Sequence, residues 1–416
     1  MSAMKTISGG VTAPQGFVAN ALSCGIKKPT ATRLDLALLF SQLPTTSAAM
    51  FTTNRVRAAC VRVSQAHSRR ANIRAIVANS GNANACTGRA GIQVAKHECE
   101  VIARSLGIRP AEVGVCSTGV IGLPMPMQRI APRLPELAEG LAMDKGHDIA
   151  SAIITSDTRE KEIAVELEIA GRPVRIGACA KGAGMISPKM ATMFCFLTTD
   201  AAVSREDLNE LVRGCVGRSF NRITIDGDMS TNDTVFVLAN GASGVTLTPA
   251  SEGWETFADA VQAVMLNLAH HMVQDGERVT KFVTVRVEGA RTEAEAAKVT
   301  DAVAKSALVK SSWNGNDPNW GRIIHAVGHA PVRMREELID IDIAGLPACR
   351  GGVQTTTPSD DLRLAVQARA FTVRIDLNQG NASYEMYTTD LSPEYVDFNR
   401  SEYAYWNQAK ADGLTR

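Results

Sequence analysis

Half-buried strands and amphipathic helices interleave along the whole chain, and this constrains the fold more than any other feature of the sequence. Residues 163–169 (IAVELEI), 282–287 (FVTVRV), 338–343 (LIDIDI) and 371–377 (FTVRIDL) alternate apolar and polar side chains, so each predicts a strand covering a core with one face. Ser204 followed by Asp207 approximates a capping box, after which Leu208, Leu211, Val212 and Cys215 recur at helical spacing. A second apolar-periodic run over 256–272 stops before Gly276, a residue suited to ending a helix. There is no repeat, low-complexity segment or insulating linker between these runs. The pattern predicts an α/β (α+β layered) fold and leaves strand order open.

With 416 residues, 45% of them hydrophobic, the chain can bury a large core. Its 44 Lys and Arg balance 43 Asp and Glu, so no strong field favours nucleic acid or an anionic membrane surface; a small molecule is the expected partner. The nine cysteines form no CxxC pair and sit mostly in apolar stretches, which reads as free thiols in a reducing compartment. Residues 1–14 carry only Lys5 as a charge and no apolar run long enough for a secretory signal or a membrane span, so a cytoplasmic location is expected.

The densest chemistry lies in residues 181–196 (KGAGMISPKMATMFCF). Glycines, a proline and small residues let the backbone bend before Ala191 and Thr192, and a hydrophobic run follows at once. A threonine hydroxyl in mid-chain lacks a base. If the peptide bond before Thr192 is cut, the freed α-amine, with a reference pKa near 7.7–8.0, accepts the hydroxyl proton near neutral pH. The alternative reading of the same residues is a glycine-rich turn feeding a strand.

Other clusters divide similarly. Ser117-Thr118-Gly119 offers a hydroxyl and a backbone N–H that can converge on a developing oxyanion, or is a plain turn at a strand end. Asp226, Asp228 and Asp233 invite a metal reading but lack the acidic residue that closes an EF-hand loop. Structural turns with hydrogen-bonding side chains account for them, and for residues 79–88, better. His270-His271 lies on an apolar helix and fits no metal-ligand spacing. Residues 319–322 read as a turn with a packed indole. No metal and no bound cofactor is expected.

Taken in order, residues 9–17 (GGVTAPQGF), 79–88 (NSGNANACTG), 117–122 (STGVIG), 181–185 (KGAGM), 226–234 (DGDMSTNDT) and 316–322 (NDPNWGR) make the chain resemble the ArgJ family of glutamate N-acetyltransferases and ornithine acetyltransferases. The resemblance implies an ArgJ/DmpA-like fold of a self-processing enzyme with an N-terminal threonine nucleophile. It implies cleavage between Ala191 and Thr192, in the context Met190-Ala191-Thr192-Met193, giving an alpha chain 1–191 and a beta chain 192–416. It further implies a ping-pong reaction in which Thr192 takes acetyl from N-acetylornithine, or from acetyl-CoA, and passes it to glutamate. Thr118 and Gly119 become the oxyanion hole; Thr155, Lys181, Thr192, Glu277 and Asn399 become substrate-binding. Lys181 supplies an ammonium for a carboxylate or for depressing the α-amine pKa, and Glu277 a carboxylate for an amino group. The partners implied are amino-acid substrates and the chain's own fragments, assembled as an alpha2beta2 heterotetramer.

The chain departs from the family at two places. Tyr395 to Asn399 matches the family's C-terminal run, but Tyr403 comes one residue late, and Tyr405 and Trp406 stand where terminal hydroxyl residues are usual. Beside Glu277, the usual Gly is Arg278, which adds a cation and disfavours positive φ. Both changes touch the acceptor pocket: the altered ending predicts that glutamate is a poorer acceptor than in members with the usual one, whereas Arg278 can restore carboxylate binding or favour a more acidic acceptor. A specialised-metabolism acyltransferase with another amine, an N-terminal-threonine amidohydrolase or aminopeptidase, and a non-catalytic binding protein are the competing readings.

Overall fold

The computed structural model describes residues 4–187 and 193–400. Its centre is a pair of stacked sheets. One has four strands in the order Phe17–Leu22, Leu36–Ser41, Ala75–Asn82, Val113–Val120. The other has six, in the order Lys5–Ile7, Lys161–Ile169, Arg172–Lys181, Phe194–Thr199, Thr234–Ala239, Thr46–Phe51.

Side-chain alternation explains the layering. In Phe194–Thr199, Phe194 and Phe196 join Phe236 and Leu238 in packing on the four-stranded sheet, which contributes Phe17, Leu39, Ile76 and Ala78. Cys195 and Leu197 point the other way, into a core closed by the helices Arg205–Gly217 and Trp254–Gln274. The far face of the four-stranded sheet, through Leu36, Leu38, Ala75 and Val77, packs on the helices Ala59–Arg70 and Gly88–Leu106. The result is helix, sheet, sheet, helix. A strand with a layer on both sides is buried throughout, which is why Phe194–Thr199 shows no alternation of burial.

A further six-stranded sheet orders Val353–Gln354, Leu346–Arg350, Asp340–Ile343, Ala370–Asp376, Phe282–Ala290, Ala382–Thr389. Val283, Val285 and Val287 face its core with Val299, Val303 and Trp313 from the helices Glu293–Ala304 and Ala307–Asn314. The expected layered α/β architecture is therefore present, with the four predicted strands inside it.

Local details correct the sequence reading in places. The strand expected over 338–343 begins only at Asp340, because Glu336–Leu338 forms a short 3-10 turn. The helix Trp254–Gln274 is ended by Asp275, and Gly276 is not in the left-handed region; a Cβ there would lie 2.9 Å from Val279 Cγ1, so close packing explains the glycine. The expected turn at 319–322 is the start of the helix Trp320–Gly328, since Asn319 caps it by accepting the Arg322 N–H at 3.0 Å. Ser204 caps Arg205–Gly217 as expected, accepting the Asp207 N–H at 3.1 Å.

Candidate functional site

Lys181 ends a strand of the large sheet, and its ammonium reaches across to the small one. Its Nζ donates to Thr155 Oγ1 at 2.8 Å and Thr118 Oγ1 at 3.3 Å, and the side chain is only 2% exposed. Three predicted site residues from three separate segments thus meet at one nitrogen. Because each hydroxyl oxygen accepts from Lys181, each hydroxyl proton remains available to donate; no acceptor for Thr118 occurs among the described residues.

Thr118 lies inside the strand Val113–Val120 rather than in a turn after it. The register slips there, with Asn82 opposite both Thr118 and Val120. Gly119 sits in this bulge at φ 133, where a Cβ would come within 2.3 Å of the Gly81 carbonyl carbon. Glycine is thereby required, and Gly119 is exposed while its neighbours are buried.

Buried charges balance around the lysine. Asp157 Oδ1 accepts from Lys161 Nζ at 2.7 Å and from the Gly182 N–H at 2.7 Å, and its Oδ2 lies 3.8 Å from Lys181 Nζ. Lys161 also donates to Asp275 Oδ2 at 2.6 Å. Two lysines and two aspartates form a neutral cluster under the site. Burial works against the Asp157 anion, but Lys181 and Lys161 outweigh it and hold the carboxyl below its ordinary pKa. Burial pushes the Lys181 ammonium below its usual value, although the Asp157 charge opposes the shift. Asp157, Lys161 and Asp275 escaped the sequence reading. One signal was present: Lys161 occupies an inward, buried position of an alternating strand, where an apolar side chain is the norm.

Glu277 follows the helix Trp254–Gln274 and is tied to the Lys181 segment by its N–H, which donates to the Ala183 carbonyl at 2.8 Å. Its carboxylate lies where a Cβ on Gly184 would sit, 2.4 Å from Glu277 Oε1. Asn399 Nδ2 donates to Glu277 Oε2 at 3.1 Å. Asn399 closes the short helix Pro393–Asn399, which starts where Ser392 caps it and Pro393 presets φ. The third sheet supports this loop: Asp390 accepts the N–H groups of Thr280 and Lys281 at 2.8 and 2.9 Å, and Lys281 Nζ donates to Asn316 Oδ1 at 2.8 Å. Asn316, from the 316–322 motif, therefore holds the loop rather than touching Lys181 or either threonine.

Arg278 corrects an expectation. It adopts φ 56, the conformation for which glycine is suited, and tolerates it because Ser392 Oγ donates to its carbonyl at 2.7 Å and its guanidinium lies 4.9 Å from the Phe398 ring centroid.

Thr192 and Ala191 lie outside the described residues, as do Tyr403, Tyr405 and Trp406. The chain on either side of 188–192 is anchored by the 226–234 motif. Asp226 Oδ1 accepts the Ile186 N–H at 2.9 Å, and Asp233 Oδ1 accepts the Met193 N–H at 2.9 Å. These aspartates serve as backbone clamps, and no group of three or more candidate metal ligands occurs among the described residues. Burial raises the pKa of both.

Fold and site together define a layered α/β protein with a small polar centre between its two stacked sheets. The chain belongs to the ArgJ family, whose family model matches residues 18–404. It is 43% identical over 399 residues to an arginine biosynthesis bifunctional protein ArgJ of Symbiobacterium thermophilum, covering 96% of this chain and 99% of that one. A glutamate N-acetyltransferase of Methanocaldococcus jannaschii is 41% identical over 414 residues, covering 95% and 99%. Among solved structures, an ornithine acetyltransferase complexed with ornithine from Mycobacterium tuberculosis is 36% identical, covering 45% of this chain and 98% of that chain, at a TM-score of 0.41.

Proposed function

We propose that this chain is a self-processing N-acetyltransferase of arginine biosynthesis, moving acetyl from N-acetylornithine to glutamate through an acyl-Thr192 intermediate. The observation that carries the proposal is the Lys181 ammonium, buried and bonded to the hydroxyls of Thr155 and Thr118. Relatives matched over nearly their whole length favour acetyl transfer over the hydrolase, binding-protein and specialised-metabolism readings.

In maturation, Thr192 Oγ attacks the Ala191 carbonyl and the C–N bond breaks, which frees the Thr192 α-amine and leaves an ester; water then hydrolyses the ester to the Ala191 carboxylate and the free Thr192 hydroxyl. In turnover, Thr192 Oγ attacks the acetyl carbonyl of N-acetylornithine while the α-amine takes its proton. That proton passes to the departing ornithine amine as the C–N bond breaks. The amine of glutamate then attacks the acetyl ester, loses its proton to the same base, and restores Thr192. Thr118 and Gly119 donate to the oxygen that becomes negative in both tetrahedral intermediates. Lys181 with Thr155 takes the substrate carboxylate, and Glu277, steadied by Asn399, takes an amino group.

The fragments 1–191 and 192–416 stay together in this reading, as an alpha2beta2 heterotetramer in the cytoplasm, and acetyl-CoA serves as a second acetyl donor without a resident cofactor. Incubation with N-acetylornithine, with and without glutamate, tests the reaction: ornithine release that depends on glutamate supports it, and equal release without glutamate makes the chain a hydrolase. Thr192→Ala is expected to abolish cleavage and transfer, with Thr192→Ser retaining part of each. An uncut chain of 44.4 kDa that still transfers acetyl overturns the nucleophile assignment.

A further inference from the structure

A ping-pong enzyme with one substrate site faces an electrostatic problem. Ornithine and glutamate share their α-amine and α-carboxylate, but the ends of their side chains carry opposite charges. A carboxylate such as Glu277 suits the ammonium of ornithine and repels the side-chain carboxylate of glutamate.

A cleft of about 280 Å³ is lined by Glu277 together with Thr158, Arg159, Asp275, Arg278 and Arg369. The three guanidinium groups pair with no Asp or Glu within salt-bridge distance among the described residues, whereas Asp275, the other carboxylate of the cleft, is already bonded to Lys161. In the lining, three arginines thus outnumber Asp275 and Glu277. Glu277 and Arg278 also diverge: the first packs on Gly184 and Asn399, the second over Phe398. The positive φ of Arg278 permits that divergence between adjacent residues, and backbone strain of this kind persists where surrounding structure imposes it at ligand sites.

Resting on the proposed transfer to glutamate, we infer that the cleft formed by Arg159, Arg278 and Arg369 binds the side-chain carboxylate of a dicarboxylic acceptor, leaving Glu277 for the ammonium of the diamino donor. The site is then forked, with one charge on each branch. Planar guanidinium groups suit the carboxylate because they donate two parallel N–H bonds.

The test uses the matured protein and the triple variant Arg159→Gln, Arg278→Gln, Arg369→Gln. Glutamine is the comparison acceptor because it has the shape of glutamate without the terminal charge. The expected result is a tenfold or greater fall in kcat/KM for glutamate with a change of less than threefold for glutamine. Parallel losses for both acceptors, or no loss for either, overturn the inference. A KM increase for acetyl-CoA with glutamate unaffected also overturns it, by assigning the arginines to phosphate. Calorimetric titration with glutamate needs no turnover and separates the two proposals. Wild-type binding that the variant loses, without acetyl transfer, sinks the reaction and keeps the cleft; equal binding by both proteins, with transfer intact, does the reverse.

Discussion

The Asp233 carboxylate accepts the N–H of Met193 at 2.9 Å, so a buried acid grips the peptide group that joins Thr192 to the strand Phe194–Thr199. The Thr234 N–H donates to the Met193 carbonyl at 3.1 Å, which fixes both sides of that residue to one loop. In the proposed reaction Thr192 must be aimed, and the Asp233 bond fixes the backbone immediately after it.

Asp233→Ala is therefore expected to leave the Met193 N–H unsatisfied, at a cost of about 1–3 kcal/mol, and to slow self-cleavage at least tenfold. Asp233→Asn keeps an acceptor oxygen and is expected to mature within about threefold of wild type. A time course of intact mass checks both. If the alanine variant matures at the wild-type rate, the clamp has no part in cleavage.

Thr118→Ala removes a hydroxyl whose oxygen accepts from Lys181. If that hydroxyl donates to the oxyanion, kcat falls roughly 10²–10³-fold with little change in KM. Steady-state kinetics decide the matter, and a loss under about threefold would leave Thr118 a structural residue.

The Asp157, Lys161 and Lys181 cluster predicts a pH dependence. Asp157 has a folded pKa below its ordinary value, so its contribution is complete above the ordinary carboxylate pKa and is lost as pH falls through that value toward the folded one. Asp157→Asn is expected to cost about 3–5 kcal/mol near neutral pH, because Lys161 loses one of its two carboxylates. The variant should also show a shallower decline of Tm between pH 5 and pH 3. Calorimetry that finds the same acid slope in both proteins would refute the assignment.

Glu98, on the helix Gly88–Leu106, gives the opposite sign. Burial pushes its carboxyl up to about 8, and Oε2 has no partner among the described residues. The folded chain holds a proton there that the unfolded chain releases, so stability falls as pH rises from the ordinary Glu value of 4.5 toward about 8. The limiting slope is about 1.4 kcal/mol per pH unit. Glu98→Gln should flatten it, raising Tm relative to wild type at pH 8 more than at pH 5.5. Equal differences at the two pH values would count against the prediction.

By itself the sequence determined the elements that depend on local periodicity and capping. The alternating strands, the Ser204-capped helix and the apolar core follow from which side chains must leave water, and that information is local. The glycine-rich motifs were legible as sites because backbone geometry restricts residue choice, as at Gly119. Tertiary structure alone decided which distant residues meet. Thr118, Thr155 and Lys181 come together because two sheets stack, and no spacing in the chain encodes that approach. The aspartates of the 226–234 motif looked like metal ligands or turn residues in sequence, yet become clamps on Ile186 and Met193 through parallel pairing of Thr234–Ala239 with Phe194–Thr199. Asp157, Lys161 and Asp275 beneath the site, and Arg159 and Arg369 beside Glu277, carry no sequence signal as strong as the motifs, and only burial and cleft geometry distinguish them. Charge is local, but the solvent it loses and the partners it gains are set by the packed chain.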